Sequence, residues 1–71
     1  MAFQKHIRRA IEDAGSQKAL AKKAGLSQQM ISFLVTRATT VSAEVAVKIE
    51  RATDGKVSRR ELRPDLFGRA A

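Results

Sequence analysis

Apolar side chains recur along the start of the chain at Phe3, Ile7, Ala10, Ile11 and Ala14, while Lys5, Arg8, Arg9, Glu12 and Asp13 fall mostly between them. This single stripe of 3.6-residue period predicts an amphipathic helix over 3–14, ended by Gly15. Two shorter stripes follow. Leu20, Ala21 and Ala24 predict a helix over about 17–24, and Met30, Ile31 and Leu34 predict another over about 28–35. Ser16 and Ser27 stand where their hydroxyls can accept from free amides of the first helical turns. Between the two helices, Gly25 can take a positive φ that a side chain would make costly, so the chain can turn sharply there. Ala21 and Ala24 are small enough to let two helices cross closely over such a turn.

Residues 36–41 lose periodicity and read as a loop. Ser42 is placed to cap a fourth helix to about Ala52, with Val45, Ala46, Ile49 and Ala52 buried and Val47 off the stripe. Thr53-Asp54-Gly55 closes it. Ser58-Arg59-Arg60-Glu61 has the form of a capping box and predicts one helical turn through Leu62, stopped before Pro64. Leu66 and Phe67 are expected to fold back on the core or to meet a partner, and Gly68–Ala71 to fray. The pattern gives an all-α, compact domain of four to five helices over 1–71, its distal part (56–71) partly extended.

Composition sharpens this. With 71 residues the chain is too short for two cores, and with three aromatic residues its core must be aliphatic. The absence of cysteine excludes disulfides and thiolate chemistry, and no apolar run approaches the roughly 20 residues that span a bilayer. A soluble, cytoplasmic protein is expected, with no membrane partner. The net charge is +7, and its placement matters more than its size: residues 14–43 contain no acid but hold Lys18, Lys22, Lys23 and Arg37. A polyanion facing this window meets only positive or neutral groups.

Gln17, Ala21, Gly25 and Ile31 have the spacing of the helix-turn-helix of phage repressors and Cro proteins. Gly15-Ser16-Gln17, Leu20-Ala21, Ser27-Gln28-Gln29 and Ile31-Ser32, with the distal Ile49–Thr53, Gly55–Val57 and Glu61–Asp65, resemble the Cro/YdaS-like family of small phage and prophage regulators over about residues 7–67. The resemblance implies a lambda-repressor-like fold. It also implies that the glutamine opening the first motif helix, Gln17, holds a phosphate, and that the one opening the second, Gln28, reads adenine. Phe33 and Val35 depart from the family, whose members tend to carry polar residues on that helix's outer face.

A recognition helix offers base edges its N-terminal residues, here Ser27, Gln28 and Gln29, with Ser32 one turn on. A glutamine amide presents donor and acceptor together, matching adenine N6 and N7, although polar residues at an exposed helix start need have no function. Gln17, Lys18, Lys22, Lys23, Arg37 and Thr39 are the phosphate candidates, with Thr36 and Thr40 beside them. Phe33 has three readings: contact with a thymine methyl, packing into the core or under the following loop, or part of a dimer surface. Val47, Leu66 and Phe67 are the candidates for a homodimer interface, and a short strand pairing near Val57 is left open.

Little else in the sequence carries chemistry. Gly55-Lys56 lacks the rest of a phosphate-binding loop, no Ser, His and acid suggest a nucleophile, and His6 has no second ligand beside it. No enzyme activity, cofactor, metal or small-molecule ligand is expected. The expected function is sequence-specific binding of double-stranded DNA by a Cro-type repressor, dimeric on a palindromic operator and nucleoid-associated when bound. An antitoxin-like protein-interaction module and a non-specific nucleoid binder are the alternatives.

Overall fold

Serines set most of the helix starts. In the structure, a computed structural model describing residues 3–68, the hydroxyls of Ser16, Ser27, Ser42 and Ser58 accept from the backbone N–H of Ala19, Met30, Val45 and Glu61 at 3.0, 3.0, 3.2 and 3.1 Å. Each hydroxyl satisfies an amide that the first turn leaves free. The helices are α1 (Gln4–Ala14), α2 (Gln17–Ala24), α3 (Gln28–Thr36), α4 (Ala43–Ala52), α5 (Arg59–Leu62) and α6 (Pro64–Phe67). α1, which starts at Phe3 without a side-chain cap, is held instead by Gln4, whose Nε2 donates to the Ala38 carbonyl at 2.7 Å. That bond ties the first helix to the loop leaving α3.

The sharp turn between α2 and α3 follows from Gly25, at φ 71°. The Leu26 amide donates to the Ala21 carbonyl at 2.8 Å and the Gly25 amide reaches Lys22, closing the last turn of α2 as a Schellman motif. Leu26 then packs against the core. α1, α2 and α3 pack on one another, and α4 lies against α2. Their shared interior is aliphatic: Ile7, Leu20, Ile31 and Ile49 are fully buried, with Ala10, Ala21 and Ala46 where helices approach closely.

The buried face of α3 is not quite the expected one. Met30 is 38% exposed, whereas Val35 is buried with Ile31, Leu34 and, beyond the helix, Ala38. Positions 31, 34, 35 and 38 follow the i, i+3, i+4, i+7 spacing of one helix face, while position 30 lies about 90° from its centre. Val35 is therefore core, and its departure from the family pattern is a packing matter.

The distal part is more helical and better tied down than its sequence suggests. The capping box forms as expected, the Ser58 amide donating to Glu61 Oε1 at 3.0 Å. Pro64 stops one helix and also starts another, since its fixed φ suits a first helical position. Arg63 makes the joint: Nη1 donates to the Val41 carbonyl at 2.7 Å, while Nε and Nη2 clasp Asp65 at 3.0 and 2.6 Å. The Leu-Arg-Pro-Asp run thus buries Leu62 and fastens the chain end to the loop after α3. Thr53, at 1% exposure, lies with its hydroxyl 3.0 Å from the Ile49 carbonyl and accepts from the Val57 amide at 3.1 Å. This holds the turn that buries Val57. Among the described residues there is no strand, so the pairing left open near Val57 does not form. Gly68, expected to fray, instead caps α6 with its amide on the Pro64 carbonyl, and the rest of the expected fray, residues 69–71, lies outside the described residues.

Candidate nucleic-acid interface

Because Ile31, Leu34 and Val35 fix α3 from beneath, its other side faces outward. Gln28, Gln29 and Phe33 are exposed and Ser32 is half-buried. The close crossing at Gly25 brings the start of α2 alongside, so that Gln17, Gln28, Gln29 and Ser32 line one open depression of about 440 Å³. Four residues from two helices thus share one polar surface, on which hydroxyl and amide groups supply both donors and acceptors. The Ser27 hydroxyl accepts from the Met30 amide, which leaves its proton to donate outward. The Thr36 hydroxyl is turned back on its own helix, donating to the Ser32 carbonyl at 2.6 Å.

A second depression, about 400 Å³, adjoins the first through Gln17 and is lined by Arg8, Ile11, Glu12, Val35 and Thr36. Arg8 is the residue that sequence reasoning missed. It is exposed on α1 and, among the described residues, makes no ion pair. The signal available was its place on the polar face of α1; the packing of α1 against both motif helices could not be read from that face alone.

Charge separates along the fold. Lys48 pairs with Glu44, Lys56 with Asp13 at 2.8 Å, Arg59 with Glu50, Arg63 with Asp65 and Arg9 with Glu61. Acids therefore sit mainly against bases of α1 and the distal half. Lys18, Lys22 and Arg37 are exposed and, among the described residues, unpaired. The Asp13 carboxyl is held below its ordinary value by the hydrogen bond from Lys56, opposed by desolvation and aided by the charges of Lys56 and Lys23. Lys23 is thus within the field of Asp13.

The structure does not bring the remaining candidates to this surface. Thr39 and Thr40 line a different groove of about 390 Å³, with Phe3, Lys5, His6 and residues 61–65. His6 lies there with Nδ1 3.9 Å from Glu61 Oε2 and no hydrogen-bond partner, and no group of three potential metal ligands occurs among the described residues. Leu66 is 52% exposed on α6, whereas Phe67 packs on the core with Arg59 stacked over its ring, and Val47 is half-buried.

Comparison with known proteins places this geometry in a family. No curated protein matches the chain. The structure is similar to that of the Cro protein from the putative prophage element Xfaso 1 in Xylella fastidiosa strain Ann-1, with 47% identity and a TM-score of 0.80 over 90% of this chain and 97% of that one. Residues 7–71 match the family model described as bacterial toxin YdaS. With the helix-turn-helix geometry above, these likenesses make the chain a member of the Cro/YdaS-like family of prophage proteins.

Proposed function

We propose that the protein is a sequence-specific, duplex-DNA-binding regulator of the Cro type, which represses transcription in the cytoplasm by occupying a palindromic operator. The observation that carries this reading is the shared polar surface of Gln17, Gln28, Gln29 and Ser32, set within a stretch that has no acid from residue 14 to residue 43. The geometry supports laying α3 in the major groove, with Gln28 and Gln29 on base edges. Gln17, Lys18, Lys22 and Arg37 then face phosphates on either side, and Arg8 extends the cationic border. Likeness to a Cro protein supports the same reading. One reading helix spans few base pairs, so useful specificity calls for a homodimer with half-sites about 34 Å apart. The mechanism needs no catalysis: occupancy alone excludes other proteins from the site.

Selection of bound duplexes from a random-sequence pool at ~0.15 M salt tests the proposal, because general phosphate attraction is substantially screened there. Convergence on an inverted repeat with half-sites one helical turn apart is the expected result. Binding without convergence would point to a non-specific nucleoid protein.

A second reading has one observation in its favour, the family model's description as a toxin. A toxin- or antitoxin-like module would bind protein through this face. Its binding would tolerate alanine at Gln28 and Gln29 but fail with alanine at Phe33.

A further inference from the structure

Phe33 is 49% exposed on α3, and its place on the helix is not that of a core residue at the margin. With 100° per residue, it stands about 150° from the centre of the buried face, whereas Met30 stands about 90° away. Its neighbours along the outward row are Gln29 one turn before and Arg37 one turn after, and Ser32 and Thr36 flank it. The ring, with the partly exposed Met30 three residues before it, makes a small apolar patch on a polar strip that carries Arg37 and no acid. A face for a protein partner would spread its apolar area beyond these two side chains, and Leu66, the other exposed large apolar side chain among the described residues, belongs to α6. The surface that complements a small apolar patch amid donors, acceptors and positive charge is anionic at its borders, polar along its floor and apolar over a small area. The major groove over a thymine has that character, since the C5 methyl stands among hydrogen-bonding base edges.

We propose that Phe33 is a specificity-determining residue that packs on the C5 methyl of a thymine in each half-site; this rests on the DNA-reading function above. Four residues of helix advance about 6 Å and one base pair about 3.4 Å, so the thymine lies one or two base pairs from the base met by Gln29. Gln29 then reads by hydrogen bonds and Phe33 by apolar contact, and Arg37 anchors the same row on a phosphate.

The test replaces each thymine of the selected duplex singly by uracil, which removes the methyl and leaves the pairing edge intact. Binding is measured by fluorescence anisotropy for the wild type and for Phe33→Ala. One thymine per half-site should cost the wild type roughly four-fold when replaced, the factor equivalent to about 0.8 kcal/mol for one buried methyl-sized group. The same replacement should cost Phe33→Ala nothing, and 5-bromouracil, whose halogen is methyl-sized, should restore wild-type binding. A flat uracil scan, or an equal penalty in both proteins, overturns the proposal while leaving sequence-specific binding standing. Loss of self-association by free Phe33→Ala in sedimentation also overturns it and assigns the ring to contact between copies of the chain. If the pool yields no preferred duplex at all, both the proposal and the function it rests on fail, and that result is seen before the scan begins.

Discussion

Gln28 and Gln29 open α3 with their amides free of the core, since the cap of that helix is made by Ser27 and its packing by Ile31, Leu34 and Val35. Alanine at either position should therefore leave the fold intact and act on binding alone. Gln28→Ala is expected to lose about 1–3 kcal/mol on the preferred duplex and little on random DNA. Equal losses on the two, measured by competition titration, would remove the base-reading role. Lys22 differs in kind, because an ammonium is a point charge that attracts any phosphate. Lys22→Ala should weaken binding to both duplexes alike and make the slope of log K on log salt shallower by about 2, since each subunit of the dimer loses one contact; a loss confined to one sequence would contradict a phosphate role.

At the scale of elements, the boundaries of α2, α3, α4 and α5 were legible because each start carries its own chemical mark, a serine whose hydroxyl fills a free amide. Gly25 was legible for the same reason, and its φ of 71° makes a firm prediction. Gly25→Val should lower stability by about 1–2 kcal/mol in a urea titration, since a β-branched residue is forced into the left-handed region; an unchanged midpoint would sink the turn argument. What stayed hidden depends on long-range contact. α6 was missed because a proline reads equally as a stop and as a first helical residue, and only the bond from Arg63 to the Val41 carbonyl decides between them. Met30 and Val35 exchanged places because a two-turn window does not locate the centre of a buried face until Ala38, beyond the helix, joins it. Of the candidate site, the glutamines and Lys18 with Lys22 were readable from charge and helix starts. Arg8, and the diversion of Thr39 to another groove, were not.

Across the whole molecule the seven acids sit mostly against bases outside the motif, and this arrangement has two consequences. Asp13 and Asp65 are held below the ordinary carboxylate range, first by hydrogen bonds from Lys56 and Arg63 respectively. A carboxyl whose folded value is depressed contributes stability that is complete above its unfolded value, about 3.9, and is lost as pH falls through the folded value. Stability should therefore decline below about pH 4, and Asp13→Asn should make that decline shallower in urea titrations at stepped pH; an unchanged acid limb would show that the pair with Lys56 does not contribute. The second consequence is a concentrated cationic face. If six phosphates are engaged per dimer, log K should fall with log salt at a slope of about −5.

In the proposed function, the outward face of α3 reads sequence. The most direct measurement is the ratio of affinities for the selected duplex and a scrambled one of equal length, at fixed salt, for the wild type and for the double variant Gln28→Ala, Gln29→Ala. A ratio of at least about 10³ is expected for the wild type, with a fall of one to two orders of magnitude or more in the variant, whose binding to the scrambled duplex is nearly unchanged. A wild-type ratio near one, or a double variant that keeps the wild-type ratio, would contradict that function.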